Sequence, residues 1–238
     1  MAITLQDLTK KFGDKTAVSV PDFSIPDGEI LGLVGNNGAG KTTLFRLMLD
    51  LLKADSGRVL FSFGVADGID PALSEEWKGH TGAYVNEGFL IDFLTPEEYF
   101  GFIAKVGGVE KGEAESILEG FAPFMNGEVM GQKKLIRDFS AGNKQKIGII
   151  GAMLHKPSLI VLDEPFNFLD PSSQNHLKRV LTDYNAATGA TILVSSHNLQ
   201  HTVEISTRVA LMENGAIIKD LDNKGRMAEA ELENYFNG

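Results

Sequence analysis

The chain has 238 residues, 43% hydrophobic and 23% charged, enough for one large domain or one domain carrying an insertion. Its 22 Lys and Arg against 32 Asp and Glu give a net charge of -10, which argues against a nucleic-acid partner, because phosphate affinity needs clustered positive charge. There is no cysteine, which excludes disulfides, thiol catalysis and zinc–thiolate sites, and no run of 18 apolar residues to span a membrane.

The opening stretch MAITLQDLTKKFGDK lacks a signal-peptide core. Residues 2–6 alternate weakly, and Val18, Phe23 and Ile25 suggest another edge strand or two between Pro21, Pro26 and Gly28. This reads as a small antiparallel layer. Phe12, just before Gly13, reads by itself as core packing near a turn. Ile30 to Val34 is a short apolar run suited to a buried strand. The next residues, Gly35, Asn36, Asn37, Gly38, Ala39, Gly40, Lys41, Thr42 and Thr43, fit the P-loop pattern G-x-x-x-x-G-K-[ST]. Glycines let the backbone turn tightly, so that successive N–H groups converge on phosphate oxygens. The helix that opens at Lys41 adds free amides and its positive end. Lys41 can reach the β- and γ-phosphates, and the Thr42 hydroxyl can ligate magnesium.

Leu44, Phe45, Leu47, Met48 and Leu51 recur at helical spacing and should face a sheet. Val59 to Val65 reads as the next strand, residues 67–80 show no clear period, and Thr81 to Val85 is a short strand. Thr95, Pro96 and Glu98 form a helix start, with Thr95 as cap. From about 95 to 155 only helical signals appear: one helix from Pro96 to about Val106, one over about Lys111 to Phe121, a loop holding Pro123, Gly127 and Gly131, and one beginning after Ser140. A helical block between strand-rich halves reads as an inserted subdomain. Its Phe- and Tyr-rich stretch at 89–102 fits either a helical core or a groove for a partner helix. Leu159 to Leu162 is a buried strand ending in Asp163 and Glu164, followed by a helix from about Ser172 to Asn185. Thr191 to Ser195 is the next strand, with Ser196-His197 at its end, then a helix over roughly 199–206. Residues 208–219 read as two strands around Asn214-Gly215, a hairpin signal. The acidic tail from Met227 to Phe236 reads as a short amphipathic helix.

Ligands of open α/β sheets bind at the carboxyl ends of strands, so the P-loop, Asp163-Glu164 and His197 should meet around one nucleotide. Asp163 fits the second magnesium-holding position of P-loop NTPases. Glu164 can orient the attacking water, and His197 reads either as a turn residue or as a partner of the γ-phosphate. Beyond Lys41 and His197, the strand ends supply no further cation for the charge that builds on the γ-phosphate. A second surface is therefore expected to complete the site.

The P-loop, FSAGNKQK at 139–146, LIVLDEP at 159–165, FLD at 168–170 and SSH at 195–197 together resemble the ATP-binding subunit of ABC transporters, over about residues 2–220. The resemblance implies an α/β fold: a P-loop NTPase core with a mixed sheet, a small N-terminal antiparallel β layer and an inserted α-helical subdomain. The core would take residues 1–87 and 156–222, the helical insertion 88–155 and a short tail 223–238. It implies ATP and Mg2+ as ligands. It also implies a head-to-tail dimer with itself or a paralogous ATPase subunit, each ATP held between one P-loop and the other subunit's signature. On this chain the signature is Ser140, Ala141, Gly142 and Asn143, which departs from the usual L-S-G-G-Q at Phe139, Ala141 and Asn143. Phe12 matches the aromatic that stacks on adenine. Glu87 takes the slot of a glutamine that touches magnesium and water. Leu169-Asp170 matches a loop that crosses to the partner subunit. Separate transmembrane permease subunits are implied, with the chain on the cytoplasmic face of the membrane and the helices around 89–105 passing movement to the permease. The pattern looks most like bacterial exporter-type ATPases. A non-transport ATPase of the same family, acting in a cytosolic assembly or division complex, and an ATP-binding scaffold with low turnover stay open as alternatives.

Overall fold

The computed structural model describes residues 1–63, 68–223, 225 and 227–237. Two sheets carry the fold. The first is antiparallel, order β2-β1-β4, from β1 (Ala2–Phe12), β2 (Lys15–Ile25) and β4 (Ser56–Ser62). The N-terminal strands are longer than their weak alternation predicts. Val65, expected to end the third, lies outside the described residues. The second sheet has six strands in the order β5-β6-β7-β3-β8-β9: β3 (Ile30–Val34), β5 (Thr81–Tyr84), β6 (Leu159–Leu162), β7 (Thr191–Ser196), β8 (Arg208–Glu213) and β9 (Ala216–Asp222). All neighbours are parallel except β8 and β9, which form the expected hairpin. Asn214 and Gly215 both take positive φ at its tip, 48° and 84°, as a two-residue turn of this hand requires.

The parallel strands are covered on both faces, which is why their sequences are continuous apolar runs. Alternation still sorts the residues. Leu31, Leu33, Leu159, Val161 and Leu193 face a core shared with the antiparallel sheet and with α1 (Lys41–Met48). Ile30, Ile160, Leu162, Ile192 and Val194 face the helical side. There lie α2 (Pro96–Val106), α3 (Lys111–Gly120), α4 (Ala122–Met125), α5 (Ala141–Met153) and α6 (Pro171–Thr188). α7 (Leu199–Ile205) and α8 (Ala228–Asn237) pack over β8 through Val203 and Leu232.

The helical block shares its core with the sheet, as Tyr99, Phe100 and Phe124 join Tyr84, Ile160 and Leu162 in one cluster. α5 is buried on nearly every side, and Gly148 lets Tyr84 lie where a Cβ would stand 2.1 Å from the ring. The start of α2 is a full capping box between Thr95 and Glu98. Pro123 falls in the first turn of α4 rather than in the expected loop; proline is tolerated there because a first-turn N–H has no helical partner. Among the described residues no helix is long and apolar enough to cross a membrane.

Candidate functional site

Parallel register lines up the carboxyl ends of β3, β7 and β6, pairing Val34 with Ser196 and Leu162 with Val194. The residues just past those ends therefore converge, as the strand order requires.

Past β3, the loop from Gly35 to Gly40 is held tightly from behind. A Cβ on Gly35 would stand 2.2 Å from the Met212 carbonyl oxygen, and one on Gly40 2.4 Å from that of Ala17. Both glycines also take positive φ, 157° and 114°. The backbone N–H of Gly215, at the hairpin tip, donates to the Ala39 carbonyl at 2.8 Å, and the Gly215 carbonyl accepts from the Ser19 N–H at 2.8 Å. α1 starts at Lys41 with no side-chain cap and no acid in its first turn, so its leading amides and positive end stay available to an anion. Lys41 is only 6% exposed. Its Nζ donates to the Gly35 carbonyl at 2.6 Å and the Asn36 carbonyl at 3.4 Å, and lies 3.4 Å from Glu164 Oε1.

Past β6, Asp163 is 7% exposed and anchored through its N–H to the Tyr84 carbonyl at 3.0 Å. Thr42 Oγ1 donates to Asp163 Oδ2 at 2.5 Å, and the Ser195 hydroxyl donates to Oδ1. Burial pushes the Asp163 carboxyl above the usual range, and Glu164 adds to this, while Ser195, Thr42 and Lys41 pull it back. Ser195 Oγ also accepts the Glu164 N–H at 2.9 Å, tying both acids to β7. Glu164 has φ 48°, a left-handed backbone uncommon for a residue other than glycine. Its Oε2 accepts from the His197 N–H at 3.2 Å and meets His197 Nδ1 at 2.8 Å. Glu164 thus sits between Lys41 and His197. The Gln145 amide reaches its carbonyl from α5 at 3.2 Å.

The remaining expected residues lie further out. A cleft of about 280 Å³ holds Glu87 and Ala141 beside Asp163 and Glu164. Glu87 opens a short turn, Glu87–Phe89, and its Oε2 lies 3.4 Å from Lys144 Nζ of α5. Ser140 is exposed at the start of α5, its hydroxyl accepting from the Asn143 N–H at 3.3 Å. Gly142 leaves room for the Phe168 carbonyl, where a Cβ would meet it at 2.5 Å. Among the described residues no hydrogen bond or ion pair joins Ser140–Asn143 to Gly35–Thr43. Asp170 caps α6, accepting from the N–H groups of Ser172 and Ser173 and from the Ser173 hydroxyl, which holds its carboxyl below the usual range. Phe168 beside it is 74% exposed. Phe12 ends β1 with a half-exposed ring.

Sequence reasoning gave no role to Ser195, Gln145 or Lys144. A serine at the end of a strand that is buried throughout was the one available signal for Ser195.

Among the described residues no group of three His, Asp or Glu side chains could cage a metal. Thr42 and Asp163 still fit magnesium. They offer two hard oxygen donors 2.5 Å apart, one on a buried carboxylate whose charge lacks a full counterion. Magnesium is usually held in this way, by one or two protein oxygens with phosphate and water completing the shell.

The family model described as ABC transporter matches residues 18–167. The bacitracin transport ATP-binding protein BcrA of Enterococcus faecalis is 33% identical over 222 residues, covering 92% of this chain and 69% of that protein. A solved ATP-binding subunit of an ABC transporter superposes with a TM-score of 0.81 at 24% identity, over 98% of this chain and 94% of the other. An ATP-binding cassette solved as a dimer in a post-hydrolysis state with ADP and Pi superposes with a TM-score of 0.79 at 20% identity, over 93% and 98%. The two structures establish the fold, and the family match spans more than half the sequence. The chain belongs to the ABC transporter family, as an ATP-hydrolysing subunit that couples hydrolysis to transport through a membrane permease.

Proposed function

We propose that two copies of this chain, or one copy and a paralogue, close head to tail on ATP, with Ser140–Asn143 of one covering the P-loop of the other. In this reading the amides of Gly38 to Thr43 cradle the phosphates, and Lys41 turns from its own loop carbonyls to the β- and γ-phosphates. Thr42 and Asp163 would hold Mg2+, with Glu87 in the same cleft as Asp163; when bound, the ion would neutralise phosphate charge. Glu164 accepts a hydrogen bond from the attacking water. His197, oriented by Nδ1 on Glu164, keeps Nε2 for the γ-phosphate. Ser140 and the positive end of α5 bring the missing donors from the second copy. Phe12 stacks on adenine, and Leu169-Asp170 lies at the interface.

Residues 89–105 face the permease on the cytoplasmic side of the membrane, in an assembly of the exporter type. Exposed Phe89, Phe93 and Phe102 support a partner surface there.

The observation that carries this reading is the placement of Glu164, within 3.4 Å of Lys41 on one side and 2.8 Å of His197 on the other. Glu164→Gln should keep Mg-ATP binding, lower kcat roughly a thousandfold, and accumulate an ATP-bound dimer on size-exclusion chromatography. Hydrolysis at the wild-type rate in that variant would remove Glu164 from the reaction.

A further inference from the structure

Two residues past Glu164, Phe166 is buried at 3% exposure. One turn past His197, His201 lies on α7 with its ring 5.0 Å from that of Phe166 and tilted by 36°. The Glu164–His197 contact is therefore repeated by a ring contact between the same two segments. Elsewhere on α7, Thr202, Val203 and Ile205 turn into the core, and Thr202 Oγ1 donates back to the Asn198 carbonyl at 3.3 Å. The salt bridge from Lys178 of α6 to Glu204 flanks the ring and closes α7 onto α6.

The His201 ring is used here as an apolar body. Its Nδ1 is buried and has no hydrogen-bond partner among the described residues. Burial, with Lys178 nearby, holds its pKa below the usual histidine value and so favours the neutral ring. A buried ring nitrogen without a partner costs stability that a phenyl ring would not. The contact surface of the ring against Phe166 is what remains to explain its place.

We propose that the Phe166–His201 stack is a second clasp that sets the separation of Glu164 from His197, making both rings positioning residues for ATP hydrolysis. Neither touches nucleotide. Phe166 anchors the chain leaving the left-handed turn at Glu164, and His201 anchors the first turn of α7, which begins two residues after His197 at the end of β7. The 2.8 Å contact between Glu164 and the exposed His197 ring is otherwise held by polar bonds, from Ser195 and Gln145 to the Glu164 backbone and from the His197 N–H to the Glu164 carboxylate. The inference rests on the roles proposed for Glu164 and His197.

The test is steady-state ATPase kinetics of the full chain with Mg-ATP, alongside thermal melts. His201→Ala and Phe166→Ala should each lower kcat about tenfold with KM for ATP unchanged, because misplacement affects the transition state and not the phosphate cradle. The double variant should lose little more than either single one. His201→Phe should restore kcat to near wild type and raise Tm, since the stack survives and the unpaired nitrogen is gone. All rates are taken well below the melting temperature of each variant, so unfolding does not enter them. Wild-type kcat in His201→Ala, or failure of His201→Phe to rescue, would overturn the clasp. Glu164→Gln is the control. If it is inactive while His201→Ala is not, only the clasp falls; if it is fully active, the reading of the site falls first.

Discussion

The two halves of the proposed site differ in how completely one chain builds them. Around Gly35–Thr43 the acids are braced: Thr42 and Ser195 converge on Asp163, Ser195 also holds Glu164, and Lys41 and His197 flank that acid. At the start of α5, by contrast, Ser140 is exposed and its hydroxyl bond only closes the first turn of its own helix. Donors fixed in advance cost no rearrangement during reaction, whereas an exposed edge must be brought to its target. In the proposed reading, the contrast separates a nucleotide cradle assembled within one chain from a lid edge whose partner arrives from a second copy.

Removing the cation from the built half should have the largest effect. Lys41→Ala is expected to weaken ATP binding about a hundredfold or more by titration calorimetry, because it deletes charge-assisted bonds to phosphate. Unchanged affinity would mean that the cradle binds without it. The opposite pattern is expected at the exposed edge. Ser140→Ala should leave ATP affinity of the isolated chain intact and lower kcat about tenfold at saturating ATP, with a fold stability loss of about 1 kcal/mol from the missing cap. A loss of affinity in the monomer would place Ser140 in its own chain's site and erase the contrast.

Gly142→Ala probes the tie between that edge and the loop carrying Phe168. A methyl 2.5 Å from the Phe168 carbonyl forces backbone to move, at about 1–3 kcal/mol in urea unfolding. A neutral result would show the edge to be loosely held. The smallest effect concerns Asp163. Its carboxyl is held above the ordinary range by burial, so the folded state binds that proton more tightly than the unfolded chain does. The resulting stability is full below the unfolded pKa and is lost as pH rises through the folded one. In the presence of a chelator at neutral pH, Asp163→Asn should therefore raise Tm, by an amount that shrinks on acidification. A gain that grew toward acid pH would mean that the buried charge is already compensated.

Much of this was legible in the chain. Four apolar residues before Asp163-Glu164, the glycine spacing before Lys41, the Thr95–Glu98 box and the Asn214-Gly215 tip each have a local cause, and each element forms where its cause lies. Less legible were features that depend on distant partners. The bridge from Ser195 to Asp163 spans 32 positions, and the approach of Lys144 to Glu87 spans 57. The left-handed turn at Glu164 is set by its surroundings and not by side-chain preference. The long β1 and β2 were blurred because the regular alternation of β1 is interrupted at Asp7, which takes φ 48°.

The hairpin tip has a practical corollary. A two-residue turn with an exposed Asn214 is the sort of place where an epitope tag or a circular-permutation break is usually introduced. Here the tip is wedged under the nucleotide loop, with Gly215 bonded to Ala39 on one side and Ser19 on the other, and Met212 filling the space behind Gly35. Residues spliced in at this point would pry the P-loop off its backing. Fusions intended to leave ATP binding untouched belong elsewhere on the surface.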